Sequence, residues 1–183
     1  MPGYAYAILA LGWIILVMPF LLAEGKSGPA ARIDPRARWG ILMIAVAYSL
    51  LWQGHFWLRP PGIWRVSFST FFFALASLLS WTGASALGRH WRIDAGLNAD
   101  HKLVQSGPYR FVRHPIYTSM LSHALATALI LSTPLPLLLP SALLMIIGTE
   151  IRVRTEDKLL ASQFGGQFTA YRSGVPAYIP FLK

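Results

Sequence analysis

The segment GPYRFVRHPIY, residues 107 to 117, concentrates side chains that bind charged and aromatic ligands. Arg110, Arg113 and His114 supply cationic groups. Tyr109, Phe111 and Tyr117 supply flat aromatic faces, and a long apolar run starts right after Pro115. Pro115 suits the first position of a helix, where its missing N–H costs nothing. His114 precedes a proline and is biased toward extended backbone, so the chain is expected to turn there. The helix N-terminus then presents free N–H groups and the positive end of its dipole. With Arg110 and Arg113 beside it, this makes a seat for a carboxylate or a phosphate. The tyrosines offer a wall for a heteroaromatic ring. The plainer reading has both arginines touching lipid phosphates. The company of His114, Pro115 and Tyr117 favours a ligand instead, because polar chemistry at a span entrance is costly.

A second polar cluster lies in IRVRTEDKLLASQF, residues 151 to 164. Arg152 and Glu156 are four residues apart and share a helix face, as do Glu150 and Arg154. Glu150–Arg154 reads as an ordinary surface pair. Arg152–Glu156 does not, because the intervening apolar hairpin returns it to the first cluster. Gly165 and Gly166 are expected to break this helix. Tyr171, Pro176, Tyr178 and Pro180 predict a compact tail that folds back over the site.

The elements that must position these clusters are apolar blocks. Hydrophobic residues make up 55% of the 183, above the about 45–50% usual for soluble domains. Five blocks approach the roughly 20 residues a spanning helix needs. They are residues 4–23, 39–58, 66–87, 115–132 and 135–151, the last two joined by a link containing Pro134. The expected fold is an all-α membrane bundle of about five helices with a helical C-terminal extension. It is read as one domain, with N-terminal spans over 1–88 and a ligand-binding core over 89–183. The first block is read as retained, since no Lys or Arg precedes it. Small residues on the third block (Ser77, Ser80, Gly83, Ser85) suit helix packing. Within the spans His123 either faces a ligand tunnel or bonds a neighbouring helix.

The net charge is +9 and there are no cysteines. The missing thiols exclude disulfides, thiolate metal sites and cysteine nucleophiles. No aromatic-and-basic sheet motif or zinc spacing points to nucleic acid. The basic excess fits loops facing anionic lipid instead. All but Arg59 and Arg65 of the 16 Lys and Arg fall on one side of the five-span arrangement. The positive-inside rule puts that side, with both clusters and the C-terminus, in the cytoplasm and the N-terminus outside.

GPYRFVRHPIY, then a short apolar hairpin, then RVRTEDKLLASQFGGQFTAYRSGVPAYIP, resembles the isoprenylcysteine carboxyl methyltransferase family, part of a wider group with the phospholipid N-methyltransferases. The resemblance covers about residues 82–181. It implies S-adenosylmethionine as methyl donor, and a lipophilic or lipidated acceptor that enters from the bilayer. It also implies that Tyr109, Arg110, His114, Pro115 and Tyr117 line the cofactor site. Arg152 and Glu156 would sit where cofactor meets acceptor, with Tyr171 and Pro180 closing a lid. The chain departs from the family at Asp157, where a second glutamate is usual, and at Ser119, where glycine is common. Arg152 would anchor an acidic acceptor; an amine acceptor would need Glu156 or His114 as base. Phospholipid N- or small-thiol S-methylation and a non-enzymatic membrane binding protein are the alternatives.

Overall fold

The structure, a computed structural model, describes residues 1–24, 32–58, 60–92, 95–97 and 101–178. Five apolar helices form the bundle: α1 (Gly3–Glu24), α2 (Ala37–Leu51), α3 (Ile63–Leu87), α4 (Pro115–Ile130) and α5 (Leu135–Phe164). A short α6 (Gly166–Gly174) follows. Two-residue strands β1 (Arg32–Ile33) and β2 (Gly96–Leu97) pair antiparallel. Pro180 and the basic residues Lys26, Arg59 and Lys183 lie outside the described residues.

Helix ends follow local chemistry. Pro115 opens α4 and Pro134 precedes α5, both compatible with a helix start. Gly88 and Gly165, at φ +52° and +51°, end α3 and α5 with a positive φ that glycine adopts freely. α5 runs unbroken to Phe164, so the expected cytoplasmic extension is one helix with the span. The second apolar block departs from expectation. Its helix stops at Leu51, and the chain turns from Trp52 onward. The Leu51 carbonyl accepts the Thr133 hydroxyl at 3.2 Å, and a Cβ on Gly54 would lie 3.1 Å from Pro134. The α4–α5 link therefore occupies the space a longer α2 would need.

α1, α3 and α5 are each long and apolar enough to cross a bilayer, which makes this a membrane protein. α2 is shorter, with Trp39 at its start and Trp52 at its end, both exposed. Half of the residues of α4 are buried, and only Leu125 of this helix is exposed.

α2 packs along α5, α3 along α4, and α1 against α3. Small residues permit these approaches. A Cβ on Gly40 would sit 2.6 Å from the Gly148 carbonyl oxygen, so the α2 and α5 backbones are in contact. A Cβ on Gly12 would sit 2.6 Å from the Phe73 ring, tying α1 to α3. Ser69 donates to the Ala126 carbonyl at 2.9 Å, and Gly83 gives room to Pro115 and Ile116 of α4. α4 and α5 make fewer direct contacts with each other, although only a short link joins them. Each leans on a different partner, and long polar side chains bridge the gap at their far ends.

Candidate active site

The turn before α4 and the second half of α5 meet through six side chains. Arg113 reaches Asp157 Oδ2 at 3.0 Å. His114 is held between two carboxylates, with Nε2 at 2.8 Å from Asp157 Oδ1 and Nδ1 at 3.4 Å from Glu156 Oε2. Tyr117, one turn into α4, donates to Glu156 Oε1. Arg152 Nε donates to the Tyr117 phenol oxygen at 2.7 Å, and its Nη2 lies 3.3 Å from Glu156 Oε1. The helical spacing explains the division of labour. Glu156 sits one turn beyond Arg152 and faces Tyr117, while Asp157 is rotated onward and meets Arg113.

His114, Arg152 and Asp157 are buried, so each charge depends on its partner. Burial pushes the His114 imidazole down. Its hydrogen bonds to Asp157 and Glu156 and their charges outweigh that effect and hold it above its ordinary value. The bridging side chains thus favour a protonated histidine between two carboxylates.

The chain after α6 closes over this network. Backbone N–H groups of Arg113 and His114 donate to the carbonyls of Pro176 and Ala177 at 2.9 and 2.8 Å. Arg113 Nη1 donates to the Val175 and Arg172 carbonyls. Thr118 donates to the Tyr178 carbonyl at 2.7 Å, and the Tyr178 phenol to Glu150 Oε2 at 3.0 Å. Tyr171 donates to the Tyr109 carbonyl at 2.6 Å. Burial pushes the Tyr171 phenol up to about 12, so it remains a donor.

One cavity of about 450 Å³ borders the network. Tyr109, Arg113, His114, Tyr117, Arg152, Glu156 and Tyr171 all line it. The sequence-predicted residues are therefore brought together with three exceptions. Arg110 is exposed and off the cavity. Pro115 is buried against α3 and shapes the turn rather than the wall. Pro180 falls outside the described residues. Phe111, offered as an aromatic face, is also exposed. Arg113 is spent on Asp157 and the tail carbonyls, so it holds the roof down rather than waiting for an anion. His123 bonds a neighbouring helix, with Nδ1 3.1 Å from the Tyr48 phenol. Ser119 is buried and bonds the Ile116 carbonyl at 2.7 Å.

Two contributions escaped the sequence reading. Asp157 is the anchor of Arg113 and His114. Its only local signal is its place beside Glu156, and the family resemblance marks it only as a shorter carboxylate where a second glutamate is usual. The segment His101–Val104 also lines the cavity; the family resemblance takes in Leu103 and Val104 but assigns them no site role.

Residues 69–162, just over half the chain, match the isoprenylcysteine carboxyl methyltransferase (ICMT) family. They run from α3 to the second half of α5 and include the whole bridging network. Among curated relatives, the protein-S-isoprenylcysteine O-methyltransferase of Schizosaccharomyces pombe is 39% identical over 85 residues, 46% of this chain and 36% of the relative. Protein-S-isoprenylcysteine O-methyltransferase B of Arabidopsis thaliana is 28% identical over 129 residues, 67% of this chain and 65% of the relative. The cobalt-zinc-cadmium resistance protein CzcN of Cupriavidus metallidurans is 30% identical over 152 residues, 67% of this chain and 64% of the relative. The matches thus span between about a third and two thirds of these relatives' lengths. The extent of the family match, carried by the helices that build the polar network, makes this chain a member of the isoprenylcysteine carboxyl methyltransferase family.

Proposed function

We propose that this chain is a membrane methyltransferase that uses S-adenosylmethionine to methylate the carboxylate of a lipophilic acceptor such as an S-isoprenylcysteine. The observation that carries this reading is the position of the Arg152–Tyr117–Glu156 cluster. It lies on the wall of a cavity that is polar where Tyr171 of α6 and the network line it, and apolar where it is bordered by α1 and α2. A donor with charged and heteroaromatic parts suits the first end, and a hydrocarbon tail suits the second.

The residues present fit the donor. The cavity's size lies in the range of small-molecule sites, about 300–1,000 Å³. Tyr109, His114, Tyr117, Glu156 and Tyr171 would hold it, supplying aromatic faces, hydrogen-bond donors and one carboxylate for its ammonium or ribose hydroxyls. The Glu156 side chain is 26% exposed, so one edge remains open to the cavity. Bound there, S-adenosylmethionine would supply a sulfonium methyl for a carboxylate oxygen, with the electron pair of the broken carbon–sulfur bond returning to sulfur. No proton moves, so no strong base is needed. Arg152 draws the acceptor carboxylate to the donor by a charge-assisted hydrogen bond. Glu156 and Tyr117 fix the guanidinium plane, and the tail excludes water. The positive-inside pattern supports a cytoplasmic site and an outside N-terminus.

The test is thermal melting of the detergent-solubilised protein with S-adenosylhomocysteine, followed by incubation of membranes with methyl-labelled donor. A rise in melting temperature and a base-labile ester label are expected. No rise at saturating ligand removes the enzyme reading. Label in a lipid amine or a thioether would move the acceptor to the phospholipid or thiol class.

A further inference from the structure

The apolar end of the cavity has a built wall. Trp13 of α1 and Tyr48 of α2 line it there, with Met120 of α4. The Tyr48 phenol donates to the Met120 carbonyl at 2.9 Å and lies 3.1 Å from His123 Nδ1. The Trp13 ring meets Tyr48 and His123 edge-on, at centroid distances of 5.2 and 4.6 Å. Phe73 of α3 backs His123 at 5.1 Å, and Trp52 lies beyond Trp13 at 6.2 Å. Rings from four helices therefore close the gap between α1 and α2. Edge-to-face packing and the hydrogen bonds hold them in one arrangement.

The depth of the space follows from helix geometry. Gly40 lies level with Arg152, since a Cβ there would be 2.7 Å from Arg152 Cγ. Tyr48 is eight residues further along α2, about 12 Å at 1.5 Å per residue. An extended isoprene unit adds about 5 Å, from four bonds of about 1.5 Å each projected along the chain. That depth also holds the carboxylate-to-sulfur stretch of the acceptor, so about two units at most fit and four do not. Leu16 and Ile44 are buried and line the cavity, whereas Val17, Leu21 and Ile41 line it while exposed. The exposed residues mark the entrance, and the buried pair marks a seat beyond it.

We infer that Trp13 and Tyr48, locked by His123, form an end stop that limits the acceptor's apolar tail to about two isoprene units. This rests on the methyltransferase reading above and specifies its substrate class. Neither Trp13 nor Tyr48 lies within the family-matched residues 69–162, so the stop belongs to the part of the chain outside that match. Both are specificity residues and touch no reacting atom.

The experiment uses the full chain in detergent with N-acetylcysteines carrying S-geranyl, S-farnesyl or S-geranylgeranyl tails. Two signals are read: methyl transfer, and stabilisation against heat in the presence of S-adenosylhomocysteine. The wild type is expected to methylate, and be stabilised by, the geranyl compound far better than the geranylgeranyl one. Tyr48→Ala and Trp13→Ala are expected to raise the geranylgeranyl-to-geranyl ratio by about tenfold or more, as a pocket that gains methylene room does. Tyr48→Phe keeps the ring but loses its bonds to Met120 and His123, and is expected to shift the preference less than Tyr48→Ala. Equal use of all three tails by the wild type means the tail leaves between α1 and α2, and the stop is wrong while the methyltransferase reading stands. A wild-type length limit that folded alanine variants retain also overturns it. If the alanine variants do not fold, the wild-type limit decides. Transfer to none of the three compounds, with S-adenosylhomocysteine still stabilising, overturns the stop alone. Loss of that stabilisation in the wild type overturns both.

Discussion

Replacing Asp157 by asparagine tests the network where it anchors Arg113 and His114. The Asp157 side chain is 9% exposed and accepts from Arg113 at 3.0 Å and from His114 at 2.8 Å. Asparagine has one oxygen, so it can serve only one of the two and turns an N–H toward the other. Losing one hydrogen bond between charged groups costs about 1.5–3 kcal/mol. At this depth solvent screening offers little relief, so the upper half of that range is expected. For a chain of this size, about 2–3 kcal/mol lowers the melting temperature by about 4–12 °C. Arg113 also holds the Val175 carbonyl, so the roof loosens as its anchor weakens. Thermal unfolding in detergent measures the first effect. Limited proteolysis near residues 175–178 measures the second, and cleavage should be faster in Asp157→Asn. Asp157→Glu keeps the charge and should lose less on both. A melting point within about 2 °C of wild type, less than one kcal/mol would give, together with unchanged proteolysis, would refute the anchor role.

Two further outcomes are expected. Gly40→Ala places a methyl 2.6 Å from the Gly148 carbonyl oxygen and 2.7 Å from Arg152 Cγ, so α2 must move off α5. About 1–3 kcal/mol of stability and most methyl transfer should be lost, and Gly40→Ala with wild-type melting and turnover would contradict the close contact. The pH dependence follows from His114, whose value is raised in the folded chain. Its stabilisation is complete below the ordinary histidine value of about 6.5 and is lost as pH climbs through the higher folded value. The melting difference between wild type and His114→Gln should therefore narrow on the alkaline side, and a gap constant with pH would exclude the charged histidine.

Much of this arrangement was legible in local sequence. The His114–Pro115 step marks where α4 begins, Gly165 marks where α5 ends, and four-residue spacing puts Arg152 and Glu156 on one face. These are properties of a single turn or a single helix. What was illegible depends on partners far along the chain. α2 ends early because Thr133, 82 residues away in sequence, takes the Leu51 carbonyl. Arg113 looks like a ligand cation in its own segment, yet Asp157, Arg172 and Val175 occupy it. The cavity exists because α1 packs on α3 while α2 packs on α5. That pairing is decided by Gly12 against Phe73 and Gly40 against Gly148, contacts that hydropathy does not report.

The shortness of α2 reaches beyond the protein itself. Its 15 residues rise about 22 Å, against a hydrocarbon layer of about 30 Å. Trp39 and Trp52, 63% and 36% exposed, sit near its two ends, and indoles prefer the headgroup level. Lipid beside this helix is pulled inward toward a girdle narrower than the surrounding sheet, next to the same flank where Leu21 and Ile41 meet the acyl chains. Membranes built from shorter acyl chains accommodate that pinch with less elastic cost, so the host bilayer's thickness becomes part of the protein's working environment.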